Sequence, residues 1–257
     1  MSKRSGKSTA SDRPSWDRTM ARIFWEVFKK PDSDKTKVRQ YIEAFAVAGF
    51  LALVIRAFVV QAFVIPSGSM EDSLLVGDHL LASKFVYGER IPFTDWRLPG
   101  FRKPRQGDII IFKSPDDPSK DFIKRCVATE GQVVEVLDKK LYVDGKRFPD
   151  PPLSKFVEPY VIPAGRGRRD NFGPYKVPPG HLFMMGDNRD NSRDSRFWGP
   201  LTMKYVKGKA VVLYWSWRPD LDSPRYRSVL SIPKILLYNL IHFPQRVRWT
   251  RIGHIVR

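Results

Sequence analysis

The segment Asp121-Phe122-Ile123-Lys124-Arg125-Cys126-Val127-Ala128 has the composition of a buried β-strand, since apolar and β-branched residues fill most of it. In an extended chain, Phe122, Lys124 and Cys126 lie on one face. Lys124 is therefore flanked by two apolar side chains. A lysine in a strand is usually solvated, and that interpretation stays open. The alternative is a lysine that loses its charge through burial and can then accept a proton.

Further short segments of this kind on both sides predict a mainly β domain. Strands are predicted at residues 107–112, 132–136, 140–143, 181–185 and 210–215. Twenty-one Pro and seventeen Gly supply turns between them. We expect the β-rich domain to cover residues 63–225, with a smaller inserted excursion at about 138–180, where Pro, Gly and Arg are frequent between residues 149 and 179.

An apolar run precedes this domain. Between Ala44 and Ile65 only Arg56 and Gln61 are strongly polar. A run of this length is enough to cross a hydrocarbon core of about 30 Å. The sequence therefore predicts a single N-terminal transmembrane helix, which we place at residues 41–62. A buried helix of a soluble protein is the alternative.

The formal charge of +18 has two explanations. Residues 1–40 form a basic arm, which the positive-inside rule keeps in the cytoplasm, so the β-rich domain is expected to be extracytoplasmic. Nucleic-acid binding is the other explanation. No helix-turn-helix, zinc-finger or aromatic RNA-binding signature accompanies the charge, and we predict no nucleic-acid partner. The basic, partly apolar tail at 226–257 either rests on a membrane surface or forms an edge element of the domain.

The segment Pro66-Ser67-Gly68-Ser69-Met70 directly follows the apolar run. It is ordinary turn material, but Ser69 is also a candidate nucleophile if a base lies nearby. The four histidines stand in no recognisable triad context, although the sequence does not exclude them. A lysine can act as the base if its pKa falls by roughly 2–3 units from about 10.4. Lys124 meets this demand better than any other lysine in the chain.

The segment at 186–196 contains three Asp, two Asn, two Ser and three Arg after an apolar strand. A solvated loop is one interpretation. A calcium loop of the EF-hand type is disfavoured because no Glu closes it. The third interpretation is a scaffold in which Ser and Asn orient a lysine and Asp–Arg pairs fix the loop. One Cys and four scattered His disfavour a zinc site, and we predict no metal or other cofactor.

Taken in order, these segments resemble the bacterial type I signal peptidases, also called leader peptidases. The similarity runs from about Ala44 to Trp215 and carries the motifs at 65–70, 107–109, 122–125 and 186–196. The resemblance implies a signal-peptidase-like catalytic domain and a membrane-bound serine endopeptidase that removes N-terminal signal peptides from secreted precursors. It also implies cleavage after small residues, often Ala-x-Ala. The expected location is the cytoplasmic (inner) membrane, with the catalytic domain on the periplasmic side.

The resemblance also implies roles for individual residues. Ser69 matches the nucleophile and Lys124 the general base. Ser67 matches the residue whose hydroxyl joins the Ser69 N–H in the oxyanion hole, and Ser192 matches the serine that hydrogen-bonds the lysine. The charged residues that match structural positions near the site are Asp187, Asp194 and Arg196. The residues that match shallow apolar pockets for the substrate are Ile65, Pro66, Met70, Leu74 and Ile123.

One departure from the family pattern lies next to the candidate nucleophile. The family usually has Pro-Thr where this chain has Asp72-Ser73, which predicts a looser turn behind Ser69. Three other functions stay open. The first is a Ser–Lys self-cleaving protein like the SOS repressors, which resemble this family in dyad and β-fold, although the predicted membrane span argues against it. The other two are a membrane-tethered basic binding module and a family member that keeps the fold without activity.

Overall fold

A computed structural model describes residues 37–88, 99–224, 226 and 228–256. Most of the predicted basic arm at 1–40 therefore lies outside the described residues. The chain divides into two compact units, residues 1–52 and 53–257. Of the first unit the structure describes residues 37–52, which all lie in one helix. All the strands within the described residues belong to the second unit.

The apolar run does not form one element. Helix α1 (Lys37–Phe58) ends inside it, and strand β1 (Val60–Val64) follows. Strand β1 pairs antiparallel with residues 79–83 over its whole length. The composition of the apolar run does not indicate this pairing. Within the described residues, no helix combines the length and the apolar character that crossing a membrane requires. The transmembrane helix predicted at 41–62 is therefore not supported, and its last residues belong to a strand.

Seven strands form the main sheet. With β1 they are β2 (Asp78–Ser83), β3 (Ile109–Lys113), β4 (Asp121–Thr129), β9 (His181–Met185), β10 (Leu201–Thr202) and β11 (Val206–Ser216). They pair antiparallel in the order β1-β2-β11-β3-β4-β9-β10. The four main-sheet strands predicted from the sequence are confirmed, and β11 is longer than predicted. Strand β4 lies inside the sheet between β3 and β9, so both of its edges are covered.

Four strands form a second, smaller antiparallel sheet. They are β5 (Val133–Leu137), β6 (Lys140–Val143), β7 (Lys146–Arg147) and β8 (Phe172–Lys176), in the order β7-β6-β5-β8. Asp138 and Lys139 form the β5–β6 turn with φ of 48° and 67°, as a two-residue hairpin turn requires. Strand β8 lies in the Pro- and Gly-rich excursion and was not predicted. That the excursion at 138–180 is a separate subdomain stays a prediction.

The C-terminal tail contains a helix that the sequence analysis did not predict. After the short helix α2 (Ser195–Trp198) and strand β11, the chain forms helix α3 (Ile232–Arg246). After α3 the chain returns to the main sheet: Ile255 bridges Val212 in β11, and Val247 bridges Trp217 directly after β11. The two alternatives for the tail, an element resting on a membrane surface or an edge element of the domain, stay predictions.

Candidate active site

Ser69 lies in a single turn of 3-10 helix (Gly68–Met70) that follows β1. The backbone is fixed on both sides of this turn. Ile65 donates its N–H to the Asp78 carbonyl at 2.9 Å, and Leu74 donates to the Met70 carbonyl at 2.7 Å. The Met70 side chain is completely buried beneath the turn. This anchoring holds the Ser69 hydroxyl against the surface of the main sheet.

Lys124 reaches Ser69 from the neighbouring strand β4. Its Nζ donates a hydrogen bond to Ser69 Oγ at 2.5 Å and another to the Ile123 carbonyl at 3.2 Å. The lysine side chain is only 4% exposed, because β4 is an inner strand whose residues 123–128 are all buried. The apolar flank predicted from the alternation is present, since Nζ lies 5.5 Å from the centre of the Phe122 ring. The structure therefore brings the candidate nucleophile and base into direct contact.

Burial changes the acidity of this lysine. Removal from water lowers the pKa of the Lys124 ammonium from its usual 10.5 to about 8, although the carboxylates of Asp194 and Asp187 oppose the change. Neither carboxylate forms an ion pair with Lys124, whose ammonium donates hydrogen bonds to a hydroxyl and a carbonyl. With a pKa of about 8, roughly a tenth of the lysine is neutral at pH 7. A neutral amine in contact with a hydroxyl can take its proton.

The loop that follows β9 packs directly against the Ser69 turn. A Cβ on Gly186 would stand 2.5 Å from the Ser69 carbonyl oxygen and closer still to the Ser192 hydroxyl. Asn188 donates its backbone N–H to the Ser69 carbonyl at 3.2 Å and its side-chain amide to the Gly68 carbonyl at 3.1 Å. Glycine is therefore required at 186, and the loop supports the turn from behind.

Asp187 connects this loop to β4 and to the residues after the nucleophile. Its carboxylate accepts two hydrogen bonds from the Arg125 guanidinium, at 2.8 and 2.7 Å, and one from the Ser73 hydroxyl at 2.6 Å. Asp72 adopts a left-handed conformation with φ of 72°. Proline cannot adopt this φ, so the segment at Asp72-Ser73 has a backbone that the family's Pro would not form, and the Ser73 hydroxyl fastens it to Asp187.

A second buried ion pair closes the loop. Arg196 donates to both oxygens of Asp194 at 2.9 Å, and the Gly186 N–H donates to the same carboxylate at 3.0 Å. Burial by itself would raise the pKa of Asp194, but the Arg196 charge and these hydrogen bonds lower it below its usual value. The carboxylate therefore remains ionised beside the site. Asp194 also caps the N-terminus of α2 by accepting from the Arg196 N–H.

The excursion between β7 and β8 touches the same region. Lys155 donates its N–H to the Asp187 carbonyl at 2.8 Å and accepts from the Arg189 N–H at 2.9 Å, which makes a short parallel bridge. Its ammonium lies 3.4 Å from Glu71 and 3.7 Å from Asp72. The excursion thus lies against both the loop and the residues that follow Ser69.

Other candidate chemistry in the sequence lies elsewhere. Within the described part of the chain, no histidine contacts Ser69: His79 packs on Tyr214, His181 lies 3.1 Å from the Thr202 hydroxyl, and His242 stacks on a tyrosine of its own helix. The described residues contain no group of three metal-ligating side chains. An open cavity of about 860 Å³ beside the second sheet includes neither Ser69 nor Lys124 in its lining.

Comparison with known proteins agrees with this geometry. Residues 38–215 match the family described as signal peptidase, peptidase S26. The chain belongs to this family. It is 36% identical over 208 residues to signal peptidase I of Pseudomonas fluorescens. The aligned region covers 69% of this chain and 72% of that protein.

Two further matches carry the same description. Signal peptidase I of Aquifex aeolicus (strain VF5) is 31% identical over 265 residues, with 84% of this chain and 97% of that protein covered. A crystal structure of a signal peptidase I from Enterococcus faecalis V583 is 28% identical and covers 42% of this chain and 97% of that chain, with a TM-score of 0.32. By its family membership, this chain is a serine endopeptidase. The substrates of its family are precursors that carry signal peptides.

Not every residue that the resemblance assigned to the site makes the implied contact. Within the described residues, the buried Ser192 hydroxyl forms no hydrogen bond to Lys124, and it lies instead beside the Asp194 carboxylate, whose pKa it helps to lower. Ser67 is exposed and its side chain does not cap the turn. Pro66 is exposed as well. The other four residues matched to substrate pockets belong to the buried core under the turn: Ile65, Met70, Leu74 and Ile123.

Sequence reasoning missed several residues that build the site. Arg125 was placed on the strand face opposite Lys124 but was given no partner, and Gly186 and Asn188 were treated only as parts of a polar loop. The signal for Arg125 was its position: a charged residue inside an otherwise apolar strand needs a buried acid, and Asp187 was the candidate in the polar loop. Nothing local indicated that Asn188 would meet the Ser69 carbonyl, since 119 residues separate them.

Proposed function

We propose that Ser69 is the nucleophile and Lys124 the general base of a signal peptidase. One observation carries the proposal: a buried lysine with a lowered pKa contacts the hydroxyl of a serine whose backbone is fixed by two elements. A buried ammonium without a carboxylate partner is unfavourable, so the site favours the neutral amine that a base requires. The family membership of the chain supports the same assignment.

In the proposed reaction, Ser69 Oγ attacks the carbonyl carbon at the end of the signal peptide while Lys124 Nζ takes the hydroxyl proton. The tetrahedral intermediate carries its negative charge on the former carbonyl oxygen. When the carbon–nitrogen bond breaks, the Lys124 ammonium gives its proton to the departing amine, which becomes the N-terminus of the mature protein. Water then attacks the acyl ester while Lys124 Nζ takes a proton from it. The ester carbon–oxygen bond breaks, the signal peptide leaves as a carboxylic acid, and Lys124 gives the proton that it took from water to Ser69 Oγ.

The oxyanion is proposed to bind the Ser69 backbone N–H and the Ser67 hydroxyl. Ser67 is two residues from the nucleophile in extended conformation, and its hydroxyl is not used to cap the turn. It is therefore free to rotate toward a substrate oxygen. A single donor of this kind typically lowers the barrier by about 3–4 kcal/mol.

We also propose that the enzyme cleaves after small residues of the Ala-x-Ala type. The support is the resemblance to the family, together with the buried position of Met70 and Leu74 in the core beneath the Ser69 turn. Replacing the last residue of the signal peptide in a precursor, Ala by Leu or Phe, should reduce kcat/KM by more than about tenfold. Equal cleavage of all three precursors would contradict this specificity.

The proposed place of action is the cytoplasmic membrane, with the catalytic unit on its extracytoplasmic side. The resemblance to the family supports this location, and so do the exposed apolar side chains of α1, which include Phe45, Phe50 and Leu53. Fractionation of cells, followed by protease treatment of intact spheroplasts, tests the location. Recovery of the chain in the soluble cytoplasmic fraction would contradict it.

The chemistry is tested with the detergent-solubilised full chain and a precursor that carries an Ala-x-Ala site. Ser69→Ala and Lys124→Ala should each lower cleavage at least about 1,000-fold, because nucleophile and base act as one unit. The matched controls are Ser119→Ala and Lys113→Ala, two exposed residues away from the site, which should leave cleavage unchanged. A well-folded Ser69→Ala protein with full activity would overturn the proposal. Intact mass of the wild-type enzyme should stay constant, which separates precursor cleavage from self-cleavage.

A further inference from the structure

Helix α3 is attached to the domain in an unusual orientation. Its apolar residues recur at helical spacing, with Ile232, Leu236, Leu240 and Phe243 along one line and Leu237 and Ile241 next to them. A surface helix normally turns such a stripe toward the core. Here Leu236 and Leu240 are 64% and 72% exposed, and the neighbouring Leu237 and Ile241 are exposed too.

The polar side of α3 makes the contacts with the rest of the unit. Tyr238 donates its hydroxyl to Asp220 at 2.7 Å. Arg246 is buried, with its guanidinium 4.5 Å from the centre of the Trp217 ring and its carbonyl accepting the Arg218 N–H at 2.8 Å. These contacts fix the rotation of the helix about its axis. The apolar stripe therefore faces outward because the polar side is held, and an outward apolar stripe of this size marks an interaction surface.

Aromatic side chains extend the stripe at its C-terminal end. The Phe243 ring lies 5.9 Å from each of Trp215, Trp217 and Trp249. Trp249 is exposed and donates its indole N–H to the Pro244 carbonyl at 3.2 Å. Tryptophan with a satisfied N–H and an exposed ring is typical of the boundary between apolar and aqueous regions of a membrane. At the other end, Val229 and Leu230 continue the exposed apolar surface.

The charge around the stripe selects among possible occupants. Residues 229–257 contain Lys234, Arg246, Arg248, Arg251 and Arg257 and no Asp or Glu. Arg248 and Arg251 are paired with Asp78, whereas Lys234 is exposed at the polar edge of the stripe. A second copy of the chain would bring the same positive charge against this surface. Anionic lipid headgroups would neutralise it while the acyl chains cover the apolar residues.

We propose that α3, together with Val229, Leu230 and Trp249, is an interfacial helix that docks the catalytic unit onto an anionic bilayer. The helix lies in the plane of the interface, with Leu236 and Leu240 among the acyl chains and Lys234 at the level of the headgroups. This docking is independent of the chemistry at Ser69. It orients the catalytic unit against the membrane surface.

The test uses the full chain with an environment-sensitive fluorophore at Leu240→Cys, reconstituted in vesicles. The native Cys126 is buried and does not compete for the label. The matched control is Gln245→Cys, an exposed polar position about 140° around the same helix from Leu240. In vesicles containing 30% phosphatidylglycerol, a lipid-attached quencher should reduce the emission at 240 at least about threefold more than at 245. In vesicles of phosphatidylcholine alone the difference should shrink.

Three results would overturn the proposal. The first is equal quenching at 240 and 245, and the second is the same quenching in vesicles with and without phosphatidylglycerol. The third is protection of 240 that grows with the protein-to-lipid ratio, which would identify a second copy as the occupant. The labelled protein with the additional Ser69→Ala substitution should show unchanged quenching. Loss of catalysis and loss of docking are therefore distinguished in the same experiment.

Discussion

Lys124 on β4 and Asp78 on β2 are both almost completely removed from solvent, yet the chain surrounds these two ionisable groups differently. The Asp78 carboxylate accepts hydrogen bonds from the Ser216 hydroxyl and the Arg251 guanidinium, each at 2.6 Å. Arg248 lies 3.5 Å away and adds a second positive charge. Within the described residues, the Lys124 ammonium donates hydrogen bonds to a hydroxyl and a carbonyl and forms no ion pair. One buried charge is paired and the other is not.

The difference shows how the same sheet serves stability at one place and chemistry at another. The pairs around Asp78 join the C-terminal tail to the start of β2. Burial lowers the pKa of Lys124 to about 8, which corresponds to a cost of about 3 kcal/mol for the protonated form. Since the unfolded lysine binds its proton more tightly, this cost is present below pH 8 and disappears as the pH rises from about 8 to 10.5. The unpaired lysine thus opposes folding at neutral pH.

The largest expected effect separates activity from stability at Lys124. Lys124→Met removes the amine but keeps the length of the side chain. Cleavage of a precursor should fall at least about 1,000-fold. The free energy of unfolding at pH 7 should stay the same or rise by up to about 3 kcal/mol, because the cost of the buried charge is removed. Urea unfolding followed by circular dichroism measures it, with Lys113→Met as the exposed control. A loss of stability above about 2 kcal/mol would show that the lysine is structural.

The opposite result is expected at Asp78. Asp78→Asn leaves Arg248 and Arg251 without their carboxylate, and breaking a buried pair costs about 3–5 kcal/mol. The specific activity of the folded fraction at low temperature should change less than about tenfold. The same unfolding measurement serves here. Asp116→Asn, at an exposed ion pair with Arg193, is the control and should change stability by less than about 1 kcal/mol. A more than 100-fold loss of activity in a stable Asp78→Asn protein would show that Asp78, like Lys124, is needed for catalysis.

The sequence predicted the surroundings of Lys124, which depend on neighbouring residues in one strand, but not the ion pairs of Asp78. Alternation along β4 placed Lys124 among apolar side chains, and the order of motifs placed Ser69 and the loop at 186–196 in one family pattern. The failures are non-local. The first three residues of strand β1 were assigned to a helix because an apolar run has no fixed period, and only the pairing of β1 with β2 makes it a strand. The arginine partners of Asp78, Arg248 and Arg251, are 170 and 173 residues away in the sequence, so no local pattern predicts the pairing.

Helix α3 was missed for a different reason. Its apolar residues have helical spacing, but basic residues are mixed with them, so the sequence predicted only a basic, partly apolar tail at 226–257. Which way the stripe faces depends on Tyr238 and Arg246 finding partners outside the helix. The Ser192 hydroxyl shows the limit of family resemblance, since the implied hydrogen bond to the lysine is not formed within the described residues.

The next prediction concerns the pH dependence of catalysis. If Lys124 is the base, only its neutral form is active, so kcat/KM should rise about tenfold per pH unit below pH 8 and become constant above it. Initial rates with a precursor lacking titratable residues near the cleavage site, measured between pH 5.5 and 9.5, test this. A plateau that begins near pH 6.5 would point to a histidine instead of a desolvated lysine.

The smallest expected effect concerns the turn that holds the nucleophile in contact with Lys124. Ser73→Ala removes the hydroxyl that donates to Asp187 at 2.6 Å, which costs about 1–2 kcal/mol of stability because a buried carboxylate loses a donor. The Ser69 turn should loosen, and kcat should fall about three- to tenfold with little change in KM. Ser73→Thr keeps the hydroxyl and should restore both values. If Ser73→Ala and Ser73→Thr have the same kcat, the hydrogen bond does not position Ser69, and the backbone hydrogen bonds of Ile65, Leu74 and Asn188 hold the turn without it.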